Sequence, residues 1–130
     1  MLKEAKDNRA EILTEADVEV LVNEFYYKVR QDDLLADIFN SIIKDNWPAH
    51  LKRMTDFWST ILLYTKTYKD DPLPKHLPLP VDKEHFDRWL ELFNETIDEH
   101  FQGEIAENAR KRANSIASIM QAVKGIRERQ

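Results

Sequence analysis

The chain is 130 residues long, 42% apolar and 33% charged, with a net charge of −5, the size and composition of one domain with a real core and a well-solvated surface. The acidic balance disfavours broad nucleic-acid binding, because a phosphate backbone would repel it. There is no cysteine, which excludes disulfides, thiol catalysis, iron–sulfur ligation and cysteine zinc sites.

Residues 1–13 are polar and are expected to form a partly flexible N-terminal extension ahead of a domain spanning 14–127. Thr14 to Asp17 has the form of an N-cap with an acidic residue in the first turn. The helix after it is expected to run to about Gln31, with Val18, Leu21, Val22, Phe25 and Val29 on its buried face. Tyr26 lies at the edge of that face and Tyr27 on the opposite side, so an inward tyrosine would be Tyr26. Asp32 to Asn40 reads as a short helix or turn carrying Leu34, Leu35, Ile38 and Phe39. Trp47-Pro48 opens a new helix, with Pro48 suited to its first turn. That helix, to about Tyr64, carries two apolar stripes, one with His50, Met54, Phe57 and Ile61, the other with Leu51, Trp58 and Leu62. Two stripes imply two things to pack against, for which a neighbouring helix and a flat ligand are candidates.

Four of the five prolines fall between Asp70 and Pro80. Proline fixes its own backbone and pushes the preceding residue toward extended conformations, so at most a very short helix fits around Lys75 to Leu77. His76 stands at the centre, among Leu73, Leu77 and Leu79. Two readings fit the segment alone: a strap packed on a bound haem with His76 on the iron, or a proline-rich surface connection with an incidental histidine. An irregular connection this long is uncommon in a compact domain unless functional or disordered.

Asp82 can cap a further helix from Lys83 to about Gln102, with Phe86, Trp89, Leu90, Phe93, Ile97 and Phe101 inward and Gly103 as its stop. The last helix, from about Glu104 to Arg127, turns Ala106, Ala109, Ala113, Ile116, Ala117, Met120 and Val123 inward, and its alanines permit close approach of a neighbour. The expected architecture is all-α. The basic run from Lys124 to Arg129 reads as a solvated helix end. Two glycines in all argue against β-sandwiches and against phosphate-cradling or dinucleotide loops. No apolar run reaches membrane-spanning length and the charged N-terminus is unlike a signal, so a cytoplasmic location without membrane contact is expected.

Polar groups on an apolar helix face are the informative feature, and three occur: Tyr26, His50 and Trp89. Each alone reads as a core residue with a satisfied polar tip. Together they bring hydrogen-bond donors from three helices, while His76 offers a ligand from a fourth element. Other metal chemistries find no support. A carboxylate-bridged di-iron bundle needs Glu-x-x-His on two helices, and the nearest pattern is Asp82-x-x-His85. The His-Glu-x-x-His zinc spacing is absent. His85 falls off the apolar face and is expected to be solvent-exposed. The serines lack base and acid partners in motif form, and no catalytic residue is assigned.

The segments Phe25-Tyr26-Tyr27-Lys28-Val29-Arg30, Asp37-Ile38-Phe39, Trp47-Pro48-Ala49-His50, Phe57-Trp58, Lys75-His76-Leu77 and Phe86-Asp87-Arg88-Trp89-Leu90-Glu91-Leu92-Phe93 together resemble the group III truncated haemoglobins of bacteria, in order and at compatible spacing over roughly residues 14–120. The resemblance implies a shortened globin, a two-over-two helical sandwich enclosing haem b (protoporphyrin IX iron), with His76 as the proximal iron ligand. It implies Tyr26, His50 and Trp89 around the distal ligand. Phe39 would stack on the porphyrin, Met54 and Phe57 would close the distal wall, and Arg53 or Lys75 would meet a propionate. Leu73, Leu77, Phe93, Ile116 and Met120 complete the expected pocket. Two departures lie in the approach to His76: Tyr64 and Thr65, and then Asp70 and Asp71, stand where relatives often carry glycine.

A histidine-ligated haem with an open sixth position binds O₂, CO or NO, and the distal donors select the chemistry. Three donors would hold O₂ tightly, which suits reaction with O₂, NO or peroxide better than oxygen transport. NO-dioxygenase or peroxidase-like turnover would need an electron-donating reductase that the sequence does not name. A monomer is expected. The competing expectations are a haem-free, globin-like helical interaction module and a gas or redox sensor acting through a partner.

Overall fold

The computed structural model describes residues 9–65 and 81–124. Among the described residues five helices carry the fold: α1 (Glu15–Val29), α2 (Ala36–Ile43), α3 (Trp47–Leu63), α4 (Lys83–His100) and α5 (Glu104–Lys124). Helix α1 packs on α3 and on α4, and α4 packs on α5, which gives the two stacked pairs of a truncated globin. Among the described residues no helix is long and apolar enough to cross a membrane.

Local chemistry explains the ends of α1 and α4. The Thr14 side chain accepts from the Asp17 backbone N–H at 3.3 Å, and Asp17 Oδ2 accepts from the backbone of Leu13 and Thr14 at 2.9 and 3.0 Å, closing a reciprocal cap. At the start of α4 the backbone N–H of Asp82 donates to His85 Nδ1 at 2.9 Å. Helix α3 ends at Tyr64, whose backbone is left-handed with φ 60° and ψ 37°, a conformation that suits glycine better than tyrosine.

Several boundaries differ from the sequence reading. Helix α1 stops at Val29, because the N–H of Asp32 returns to the Val29 carbonyl and the Asp32 carboxylate then caps Leu34 and Leu35 at 3.1 Å. The short helix starts at Ala36 and runs to Ile43, past the expected Asn40. Helix α4 ends at His100, and Phe101 belongs to a two-residue strand. That strand, β2 (Phe101–Gln102), pairs in parallel with β1 (Ala10–Glu11), Ala10 opposite Phe101 and Glu11 opposite Gln102. Gly103 follows at φ +101°, where a Cβ would come within 3.1 Å of the Glu11 side chain. The described end of the N-terminal segment is therefore tied into the fold. Arg9 Nη1 donates to the Asp98 carbonyl at 2.9 Å, Gln102 Nε2 donates to the Arg9 carbonyl at 2.7 Å, and Ile12 is fully buried.

The core gathers Val18, Leu21, Val22, Phe25 and Val29 from α1 with Leu92, Phe93 and Ile97 from α4. Ala106, Ala109, Ala113 and Ala117 of α5 are buried, the small-residue contact that brings α5 close to its neighbour.

Candidate functional site

Helix α1 presents Tyr26 inward and Tyr27 outward, at 4% and 63% exposure, as the helical phase requires. Tyr26 lines a cavity shared with Leu35, Phe39, Met54, Phe57, Trp58, Val81, His85, Phe86, Trp89, Ile116, Ala117 and Met120. The cavity volume is about 60 Å³, and the chamber is partly open to solvent. Among the described residues its walls are almost entirely apolar. Burial pushes the Tyr26 phenol far above its ordinary pKa, because a phenolate cannot be solvated there. Tyr26 therefore stays protonated, a hydrogen-bond donor in an apolar chamber.

Tyr26 is held by rings. Phe25 meets it edge-on with centroids 4.8 Å apart, and His50 meets it edge-on at 5.0 Å. Trp47 stands 5.8 Å from Tyr26 and 5.5 Å from His50. Trp47 is itself held by the Arg30 guanidinium 4.5 Å over its ring and by donation from Nε1 to Asn40 Oδ1 at 3.1 Å. His50, Tyr26 and Trp47 thus form a cluster of three mutually contacting rings, and His50 does not line the cavity among the described residues. Trp89 does line it, and Phe25 contacts Trp89 at 5.5 Å.

The back wall is a triple stack. Phe93 lies between two indoles, 4.9 Å from Trp58 and 5.7 Å from Trp89, with interplanar angles of 25° and 12°. Phe93 is 1% exposed and supports both tryptophans from behind.

Of the residues expected around the pocket, Tyr26, Phe39, Met54, Phe57, Trp89, Ile116 and Met120 line one cavity, and Phe93 buttresses it. Arg53 is half-buried on α3 beside Met54 and is not among the lining residues. His76, Leu73, Lys75 and Leu77 lie outside the described residues. Leu35, Trp58, Val81, His85, Phe86 and Ala117 also line the cavity and were not assigned to it from sequence. Helical phase could have raised Trp58 and Phe86, since both sit on apolar faces. His85 is a correction: it is half-buried at the cavity and caps α4, because the start of α4 turns His85 and Phe86 toward the chamber. The two stripes of α3 also do not sort into one partner each, since Met54 and Phe57 from one and Trp58 from the other meet the same cavity.

The chain matches the family of bacterial-like globins over residues 11–124. It is 36% identical over 115 residues to the group 3 truncated haemoglobin ctb of Campylobacter jejuni, covering 85% of this chain and 91% of that protein. The chain belongs to the group III truncated haemoglobins. Its fold superposes on the crystal structure of a group III truncated haemoglobin from Campylobacter jejuni with a TM-score of 0.82 and 34% identity, covering 88% of this chain and 94% of the other. It is also 32% identical over 89 residues to the group 2 truncated haemoglobin YjbI of Bacillus subtilis, covering 67% of each chain. Membership in this family implies a haem cofactor and diatomic gas ligands. The chemistry of the truncated-haemoglobin cavity fits such a group: its aromatic and thioether lining and the stacked indoles suit a planar apolar ring, and a protonated phenol is the donor a small polar ligand requires.

Proposed function

We propose that this truncated haemoglobin binds haem b through His76 and takes O₂, CO or NO at a five-coordinate iron, for redox chemistry of O₂, NO or peroxide rather than for oxygen transport. Haem, when bound, supplies an iron whose open position accepts a diatomic gas. The observation that carries the reading is the protonated Tyr26 phenol, buried in an apolar cavity beside Trp89.

Each side chain then has a task. Tyr26 would offer its hydroxyl as a hydrogen-bond donor to a bound diatomic ligand, and Trp89 would offer a second donor from α4. His50, edge-on to Tyr26, holds the phenol ring in place and is the third expected donor. Met54 and Phe57 exclude water from the chamber, and Phe39 would stack on a bound porphyrin. Arg53 and Lys75 are the residues expected to meet the propionates. A hydrogen bond to a charged partner contributes about 1.5–3 kcal/mol, or about 10- to 150-fold in retention per donor. Several such donors slow release, which favours reaction over delivery. Turnover would draw electrons from a separate reductase, with the chain acting as a cytoplasmic monomer.

Expression in haem-replete cells, followed by comparison of the Soret bands of the wild type and His76→Ala, tests this reading. A coloured wild type whose spectrum changes or vanishes in the variant supports it. A colourless wild type, or bands indifferent to the substitution, overturns it in favour of a haem-free helical interaction module.

A further inference from the structure

We propose that His85 is a further binding residue of the cavity, its Nε2–H donating to a peripheral carboxylate of the tetrapyrrole; this rests on the haem reading above. The tautomer follows from a hydrogen bond. His85 Nδ1 accepts the Asp82 backbone N–H at 2.9 Å, so its lone pair is engaged and the ring proton resides on Nε2. The cap therefore holds the imidazole and leaves its other nitrogen as a donor.

Position supplies the second argument. His85, Trp89 and Phe93 are successive four-residue steps along α4 and share one face. Exposure falls along that face, from half-buried His85 and Trp89 to Phe93 at 1%. The inner end is a ring stack suited to an apolar ring face. The outer end is where carboxylates keep part of their hydration, and His85 stands there with Val81. Among the described lining residues, the other hydrogen-bond donors are the Tyr26 phenol and the indoles of Trp58 and Trp89. Arg53, expected to meet a propionate, is not a lining residue.

The test separates capping from binding. Glutamate at the third position of a helix accepts the N-cap N–H well, so His85→Glu keeps the start of α4 while replacing a donor with a carboxylate. His85→Gln keeps both an acceptor for the cap and an N–H donor. Release of haem to an excess of an apo-globin acceptor is followed by absorbance, first with protoporphyrin IX iron and then with its dimethyl ester, which lacks free carboxylates. Thermal unfolding of the apo forms monitors the cap. The free acid is expected to leave His85→Glu about fivefold faster or more than wild type, the partly exposed position keeping the effect modest. His85→Gln should stay within about twofold of wild type, a difference under 0.5 kcal/mol, and the ester should erase the difference between wild type and His85→Glu. A wild-type release rate in His85→Glu, or an equal acceleration with the ester, overturns the proposal while leaving haem binding intact. Failure of the wild type to take up haem removes both readings at once.

Discussion

Arg88 on α4 donates from Nε to Asp32 Oδ1 at 2.6 Å, across 56 positions of sequence. The second oxygen of Asp32 accepts the backbone N–H groups of Leu34 and Leu35 at 3.1 Å. One carboxylate thus shapes the turn after α1, fastens it to α4 and seats Leu35, which lines the cavity. The Asp32 side chain is 6% exposed and the Arg88 side chain 37%, so the two ends of the pair are unequal.

That inequality predicts an order of effects. Asp32→Ala leaves two backbone donors and a guanidinium without their acceptor, and should cost about 2–3 kcal/mol. Arg88→Ala leaves Asp32 its two backbone bonds, and solvent screens the lost pair, so the expected cost is about 1 kcal/mol or less. Urea unfolding of both variants measures the order. Equal costs would mean that the turn bonds contribute nothing.

Tyr26→Phe removes the donor without changing the ring. Release of O₂ from the haem-loaded protein should accelerate by about tenfold or more. An unchanged rate in stopped-flow displacement by CO would remove Tyr26 from the donor set. The same variant tests the buried phenol. Because burial raises the Tyr26 pKa well beyond the ordinary range, wild type and Tyr26→Phe should show the same tyrosinate absorbance at alkaline pH for as long as the fold persists. A smaller signal in the variant would mean that Tyr26 ionises.

Tyr64 ends α3 in the left-handed region and is 74% exposed. An L-residue there costs roughly 1–2 kcal/mol relative to right-handed backbone, and glycine avoids that cost at the expense of a freer unfolded chain. Tyr64→Gly should therefore stabilise the protein by about 0.5–1 kcal/mol, read as a higher midpoint in thermal unfolding. Loss of stability would assign the Tyr64 ring a contact that outweighs the backbone term.

Asp17 gives a pH dependence with a definite sign. The Leu13 N–H holds its carboxyl below the ordinary value of 3.8; burial opposes this as the second-largest effect, and the Thr14 backbone and hydroxyl add to the lowering. A depressed folded pKa contributes stability that is complete above the unfolded value and is lost as pH falls through the folded one. The contribution of the α1 cap should fade below about pH 4, and Asp17→Asn should flatten that part of the acid-unfolding curve relative to wild type. Parallel curves down to the acid transition would show that the cap bonds do not favour the ionised form.

Much of this protein is local in origin and could be read from its residues in order. Thr14 and Asp17 start α1 because their side chains reach only three residues along the chain. Helical periodicity turns Tyr26 inward and Tyr27 outward and buries Ala106, Ala109 and Ala113 along one line of α5. The motifs around Tyr26, Trp47-Pro48 and Trp89 suffice for the family. What the tertiary structure alone decided is which faces meet. Asp32 finds Arg88, Phe93 slides between Trp58 and Trp89, and the segment at Ala10 pairs with Phe101. It also set His50 edge-on against Tyr26 and brought His85 to the cavity. A three-to-four-residue period fixes the phase of each helix but carries no information about the partner face a long stretch of chain away, and only close packing of the helices together selects it.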